Sequence, residues 1–550
     1  MGTKKRGNIK FPTARPDRRT WLCGAAGALF LGFSGQWGRQ LDRVGNVNLT
    51  APSTWIVPFL CFCALTPILA WGFAWAAARQ RTSGGQSFGG QCFGEQSAGG
   101  KRRLLLRALF LAACWGVVLL AVFPGFFAYD ATDELNEVLT GEYVTRHPLV
   151  HVLLLGKTVE GVHELTGSWN AGIAVYVLVQ MGIMAVLFSL AVEQLRSLGA
   201  GRRVRAAMTV FLGIFPVIPM YVLCTSKDLP YTACLLAVML LCVLLLRDRE
   251  AFWKSRGKTA GLWAALLGTA VWRSNGLLVL VFLLPALLWL AGRGHRRRMA
   301  ALAATALGAY LGLQAGLGAV LKPVSTNAME SLTVPIQQLA RAWNYSPELF
   351  SEQEQETLLQ ILPQEALESY QPKLSDPVKI LFSTEQFSKD PGKYAALWLK
   401  IGCRAPSTYL NAWLMTSYGF WYPDAKIDVY NGLRNYTESS YFSCETEPPG
   451  ERKSFFPALE KVYEEISWEQ RIHEIPVLSW LFSPGALCWL WVLSGLYLLS
   501  LGRKRELAAL LPVYLNLLTV LPGPTYLVRY VLIFWFGLPV LLAACRYWRE

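Results

Sequence analysis

Five groups of ionisable and amide side chains fall at the ends of apolar stretches, and on one topological reading all five lie at the same membrane face. The first group is Asp130, Asp133, Glu134, Arg146 and His147, and the second is Lys227 with Asp228. The third is Arg273 with Asn275, and the fourth is Gln337, Gln338 and Arg341. The fifth is Tyr526, Arg529 and Tyr530. A bilayer makes such groups costly, so where they gather they line a cavity or a substrate path. Carboxylates can remove a proton from a nucleophile. Arginine suits bidentate contact with phosphate, and a lysine supplies a point charge for the same anion. Acid-base chemistry beside a bound phosphate is therefore what these residue types are suited to do.

Each group also has a structural reading. Asp133 and Glu134 suit the first turn of a helix, where the dipole favours a negative charge. Lys227-Asp228 suits a solvated turn, and Arg529 a snorkelling anchor at the membrane surface. Asp130 is less easily assigned to structure. It follows Phe126-Phe127-Ala128-Tyr129, an aromatic run that pins it near the membrane surface. His147 next to Pro148 suits a structural role, or with Asp130 a divalent metal site.

The elements that must position these residues are transmembrane helices. The 550 residues are 53% hydrophobic and 16% charged, with mean hydropathy +0.32. Soluble domains carry closer to a quarter charged residues. The 21 tryptophans and 21 tyrosines suit headgroup-level belts. A net charge of +15 would suggest nucleic acid in a soluble protein. Here the basic residues sit in short loops between apolar runs, where they fix topology, and no nucleic-acid partner is expected.

A helix needs ~20 mostly apolar residues to cross, and about a dozen segments approach that length. They lie near 21–38, 53–78, 104–122, 171–192, 206–224, 229–246, 261–272, 276–291, 299–321, 483–501, 507–521 and 531–545. The two short segments 261–272 and 276–291 form a hairpin with a polar outer tip. Arginine-rich flanks place both termini in the cytoplasm, and no cleavable signal peptide is evident.

The expected organisation is a basic cytoplasmic tail over 1–20 and a transmembrane region over 21–321. That region contains a flexible linker near 82–100 and a first outer loop over 123–170 with one or two short interfacial helices. An extracytoplasmic loop domain follows over 322–476, then a C-terminal transmembrane region over 483–550. Within the large loop, 394–420 suits an amphipathic helix on the membrane, and the aromatic run Tyr418–Tyr422 suits stacking on a sugar or interfacial anchoring. No internal repeat is visible, which weighs against the repeated halves of many transporters. Most cysteines lie in apolar runs as small hydrophobes; Cys403 and Cys444 share the large loop and could pair there. Three sequons, at Asn48, Asn344 and Asn435, carry meaning only in a host that glycosylates them.

Taken in order, Pro124-Gly125-x4-Asp130, His147-Pro148, Lys227-Asp228, Arg273-Ser274-Asn275-Gly276, Pro335-Ile336-Gln337-Gln338 and Gly419-Phe420-Trp421-Tyr422-Pro423-Asp424 resemble a bacterial family within the GT-C glycosyltransferase superfamily. Its relatives include protein O-mannosyltransferases and aminoarabinose lipid A transferases. The resemblance spans about 123–529 and departs from the pattern at Ser274, where asparagine is expected; no strict acidic pair is present. It implies an all-α polytopic fold of GT-C type and an inverting transfer of sugar from a polyprenyl-phosphate donor to an envelope glycan, lipid or protein. Asp130 is the implied base, with Asp133 or Glu134 as alternates. The implied substrate contacts are His147, Lys227, Asp228, Arg273, Asn275, Gln337, Arg341, Tyr422 and Arg529. The resemblance fixes no cofactor and leaves open a divalent metal at Asp130 and His147. A transporter or flippase of lipid-linked sugars, and a non-catalytic envelope-assembly protein, are the competing readings.

Overall fold

Long apolar segments fold here as α-helices, the form in which every backbone N–H and C=O finds a partner inside its own segment. The computed structural model describes residues 15–82, 98–430 and 445–548. It is 78% helical with no strand among the described residues. The first half of the chain is α1 Arg18–Val44, α2 Ser53–Thr82, α3 Ala98–Ala121, α4 Ala131–Thr140, α5 Leu149–Thr166, α6 Trp169–Ser197, α7 Arg202–Ile214, α8 Val217–Val222 and α9 Asp228–Arg247. Then come α10 Arg249–Lys254, α11 Arg256–Val271, α12 Ser274–Ala291 and α13 Arg296–Leu321. Among the described residues, seven helical segments are long and apolar enough to cross a membrane: Ser53–Gln80, Gly99–Ala121, Trp169–Ser197, Asp228–Arg247, Ser274–Ala291, Arg293–Leu321 and Val528–Tyr547.

The remaining expected spans are helical but shorter or less uniformly apolar. The segment expected as one helix over 206–224 is broken into α7 and α8 at Phe215-Pro216, because a proline disfavours helical geometry in the residue before it. Of the seven, Val528–Tyr547 is the irregular one, a run of short helical turns parted at Leu532 and Gly537, with Pro539 in the turn that follows. The exterior suits lipid: α2 exposes Trp55, Ile56, Phe59, Leu60, Ile68 and Trp71, a stripe too large for a water-facing monomer surface. Not all tryptophans serve as a headgroup belt. Trp115, Trp491 and Trp535 are fully buried, each indole N–H donating to a backbone carbonyl, of Leu212, Phe534 and Leu481 respectively, as buried indoles require.

The segment expected as the first outer loop holds two helices, α4 and α5, each ended by a left-handed glycine, Gly141 and Gly167. The α5–α6 pair meets backbone to backbone at Gly172, where a Cβ would stand 2.8 Å from Val159 Cα. Residues from Met329 to Tyr409 build their own hydrophobic cluster around Leu339, Leu358, Leu362, Val378, Leu397 and Ile401. From Leu414 onward the large loop packs into the main helical core instead, so the loop expected as one unit divides near 410. Its 394–420 segment forms two helices, Pro391–Arg404 and Pro406–Ser417, separated at Ala405-Pro406. The second is packed on several faces rather than laid on a surface. Cys444, the Asn435 sequon and most of the 82–100 linker lie outside the described residues.

Candidate functional site

The chain reaches Asp130 through a segment clamped on both sides. Phe126 N–H donates to Leu223 O at 2.9 Å, and Thr225 N–H donates to Phe126 O at 3.0 Å. From the other side, Lys453 N–H donates to Phe123 O at 2.8 Å and Glu447 N–H to Phe127 O at 2.7 Å. Gly125 has φ +120, and a Cβ there would lie 2.9 Å from Leu223 O, so only glycine fits. Tyr129 has φ +63, a left-handed conformation that costs a bulky residue about 1–2 kcal/mol. Its ring is covered by the Arg529 guanidinium at 4.2 Å.

Asp130 stands at the N-cap position of α4, yet its side chain makes no capping hydrogen bond. It turns instead to cations. Lys227 Nζ lies 2.8 Å from Oδ2 and Arg529 Nη1 3.3 Å from the same oxygen, while His147 Nε2 is 3.8 Å from Oδ1. Partial burial would raise the carboxyl's pKa. Lys227 and Arg529 more than offset that and hold it well below the usual carboxylate range. The side chain keeps 25% of its surface exposed, enough to meet a ligand.

Two buried glutamate–histidine pairs brace this position. Glu134 and Glu137 share one face of α4 by their three-residue spacing. Glu137 Oε1 accepts from His147 Nδ1 at 2.6 Å, which orients Nε2 toward Asp130 and the Arg146 Nε–H, 3.2 Å away. Glu134 pairs with His151 Nδ1, and His151 Nε2 faces Tyr176 Oη at 3.0 Å. Lys227 Nζ also comes within 3.8 Å of Glu134. Asp133 is more exposed and pairs with Arg146 at 2.8 Å.

Asp228 is almost fully buried and pairs with Arg273 Nη1; Ser226 Oγ–H donates to it at 2.7 Å, and Arg529 Nε lies 3.7 Å away. Arg273 Nε–H donates to Asn275 Oδ1 at 3.0 Å, and Asn275 Nδ2–H to Thr519 Oγ1 at 2.9 Å. The Arg273 guanidinium stacks over Tyr530 at 4.5 Å.

These side chains border a cavity of about 1310 Å3. Asp130, Asp133, His147, Lys227, Arg273, Asn275 and Arg529 line it, while Glu134 and Asp228 stand behind its wall. Three expected contacts are elsewhere. Gln337 lies one layer back, its amide donating to the carbonyl of the lining residue Gln371 at 2.6 Å. Arg341 is buried, bonded to Tyr370 Oη at 3.1 Å and Gly45 O at 2.9 Å. Tyr422 fills the space left by Gly38 and Gly485; with Tyr418 and Phe420 fully buried, that aromatic run presents no platform to the cavity.

The sequence reading missed Lys379, a lining residue held by Glu330 at 2.8 Å and Asp376 at 2.9 Å, for which the local sequence gives no signal. It also missed Glu137 and His151, although Glu134/Glu137 and His147/His151 recur at helical spacing. Asp130 and His147 do not make a metal seat. Their facing atoms already meet Lys227, Arg529 and Arg146, and no group of three or more His, Cys, Asp or Glu is placed to hold an ion among the described residues.

A family model matches residues 140–550, three quarters of the chain. The chain belongs to DUF6020, a family of unknown function. The DUF6020 match takes in His147, Lys227, Asp228, Arg273, Asn275 and Arg529 and begins beyond Asp130, Asp133 and Glu134. No curated protein matches the chain, and no solved structure does.

Proposed function

We propose that this DUF6020 protein is a polytopic glycosyltransferase of GT-C type, crossing the cell membrane about a dozen times with both termini in the cytoplasm. In this reading it moves a sugar, with inversion, from a polyprenyl-phosphate donor to an envelope glycan, lipid or protein at the outer face. The observation that carries the reading is Asp130, an uncapped N-terminal carboxylate kept ionised by Lys227 and Arg529 at the wall of a large, cation-lined cavity.

The two oxygens of Asp130 divide the work. Oδ2 holds Lys227 and Arg529, leaving Oδ1 to accept the proton of an acceptor hydroxyl as the new glycosidic bond forms. The anomeric C–O bond breaks at the opposite side of the sugar, and its electron pair leaves on the polyprenyl phosphate. Lys227 and Arg529 serve the base itself in this arrangement. Arg273, with Lys379 beside the cavity from the large loop, is then the cation suited to the departing phosphate. The cavity also reaches Tyr310 and Gln314. Tyr310 is eleven residues before the end of α13, about 16 Å along the helix axis. That depth, beside a helix with few fully buried residues, gives a lipid tail a lateral path.

The test is product chemistry. Membranes containing the protein should release free polyprenyl phosphate while labelled sugar becomes attached to an acceptor. Donor recovered intact in the opposite leaflet would favour a flippase instead.

A further inference from the structure

Just after Lys453, whose N–H holds Phe123 in the clamp before Asp130, the chain begins to turn large apolar side chains outward. Phe455 is 62% exposed and Val477 78%, and Phe456, Val462, Trp468 and Trp480 are exposed between or beside them. The segment is fixed in place all the same, because Tyr463 and Ile466 are buried in the main helical core. In the helix Pro457–Glu464, Ala458 and Val462 share an exposed face with Phe455, while Lys461 and Glu464 stand on another. A monomer surface in water rarely carries an apolar patch of this extent.

Its surroundings say what covers it. At one end Phe455 N–H donates to Leu120 O at 2.9 Å, and its ring meets Phe123 at 6.1 Å. The patch therefore extends the exposed flank of the last turns of α3, Val117 and Leu120, on a helix long and apolar enough to cross a membrane. At the other end the Trp480 ring meets Trp489 at 6.1 Å, on the apolar helix Pro484–Ser500. Residues 455–481 thus lie level with the ends of two apolar helices, at the face that carries the cavity. The Trp480 indole N–H donates to Asp424 Oδ1 at 2.9 Å while its ring stays exposed, the division of polar end and apolar body that suits a headgroup belt. Val477 adds an independent sign. It has φ +69, a strained conformation for a β-branched residue, and is the most exposed side chain of the patch. Water does not offset that strain, whereas burial among acyl chains does.

We propose that residues 455–481 form a lipid-seated surface, entering the bilayer interface at the face that bears the cavity. Phe455, Phe456, Val462, Trp468 and Val477 reach about 5–10 Å into the boundary of headgroups and acyl chains, and Lys461 and Glu464 turn to the headgroups. The occupant is lipid and not a second copy of this chain. Exposed charges at Lys461, Glu464, Glu469 and Arg471 interrupt the patch; headgroups and interfacial water solvate them where they stand, whereas the core of a protein interface is depleted of charge. The seat begins two residues beyond Lys453, so it sets the height of the clamp on the Asp130 segment relative to the bilayer.

The test is photo-crosslinking of the full chain in phosphatidylcholine nanodiscs. p-Benzoylphenylalanine replaces Val462 or Val477, with Leu60 on the exposed side of α2 as the lipid-facing control and Glu385, 80% exposed on the large loop, as the water-facing one. Intact mass spectrometry should show a phospholipid adduct at 462 and 477 as at 60, and several-fold less at 385. A second measurement needs no variant. Hydroxyl-radical footprinting of the wild type in the same nanodiscs should oxidise Trp468, 44% exposed, several-fold less than Tyr345, 59% exposed on the large loop. Adduct at 462 and 477 no higher than at 385, or equal oxidation of Trp468 and Tyr345, would overturn the proposal. A covalent dimer at 462 or 477 in place of the lipid adduct would assign the surface to a second copy and overturn it equally.

Discussion

Asp130 is held ionised by its neighbours, and the sign of that coupling can be checked. A carboxyl whose folded pKa is depressed contributes stability that is fully present above its unfolded value. That stability is lost as pH falls through the folded value. Because Lys227 and Arg529 hold Asp130 well below the usual range, an acid limb in the transfer rate near pH 5 would belong to another group. Lys227→Met removes the nearest cation, so the Asp130 pKa should rise. The acid limb of a pH–rate profile should then move to higher pH; an unmoved limb would show that Lys227 does not tune the base. His147 acts on the same carboxylate, its ring fixed by Glu137. His147→Gln should lower kcat by about tenfold to a hundredfold through looser placement of Asp130, with KM for the donor little changed. A rise in KM at constant kcat would instead give His147 a substrate contact.

Elements were the most legible level of the sequence. Long apolar runs flanked by arginine predicted helices that the structure contains, because burial in lipid leaves an apolar run no other way to pair its backbone. The losses came where a single residue overrides a run. Pro216 divides 206–224, Pro406 divides 394–420, and Gly537 with Pro539 interrupts the last segment. The candidate site was legible where chemistry sits at helix ends, as with Asp130, Lys227, Arg273 and Arg529. It was illegible where tertiary packing decides, as with Lys379 reaching the cavity and Tyr422 turning inward against Gly38. One residue at this scale fixes the whole segment before Asp130. Gly125→Ala should destabilise the protein by about 1–3 kcal/mol, read as a lower melting temperature in detergent, and should cost activity beyond that loss by moving Asp130. A melting temperature equal to the wild type's would remove the clamp from the account.

At the scale of the whole molecule, the account joins an apolar exterior, a cavity at one face and an arginine-rich far end. The proposed orientation makes a direct prediction. Single cysteines replacing Glu385, on the large loop, should react with an impermeant reagent added outside intact cells, while those replacing Glu250, beyond α9, should react only after permeabilisation; both side chains are well exposed. Reversed labelling would invert the topology. The central claim is that Asp130 is the base of a glycosyl transfer, and the most direct measurement compares labelled-sugar transfer by the wild type, Asp130→Asn and Asp133→Asn, each purified to the same folded yield. The account predicts transfer by the wild type, transfer close to it by Asp133→Asn, and loss of at least two orders of magnitude in Asp130→Asn, the scale of removing a general base. Undiminished transfer by Asp130→Asn would contradict it.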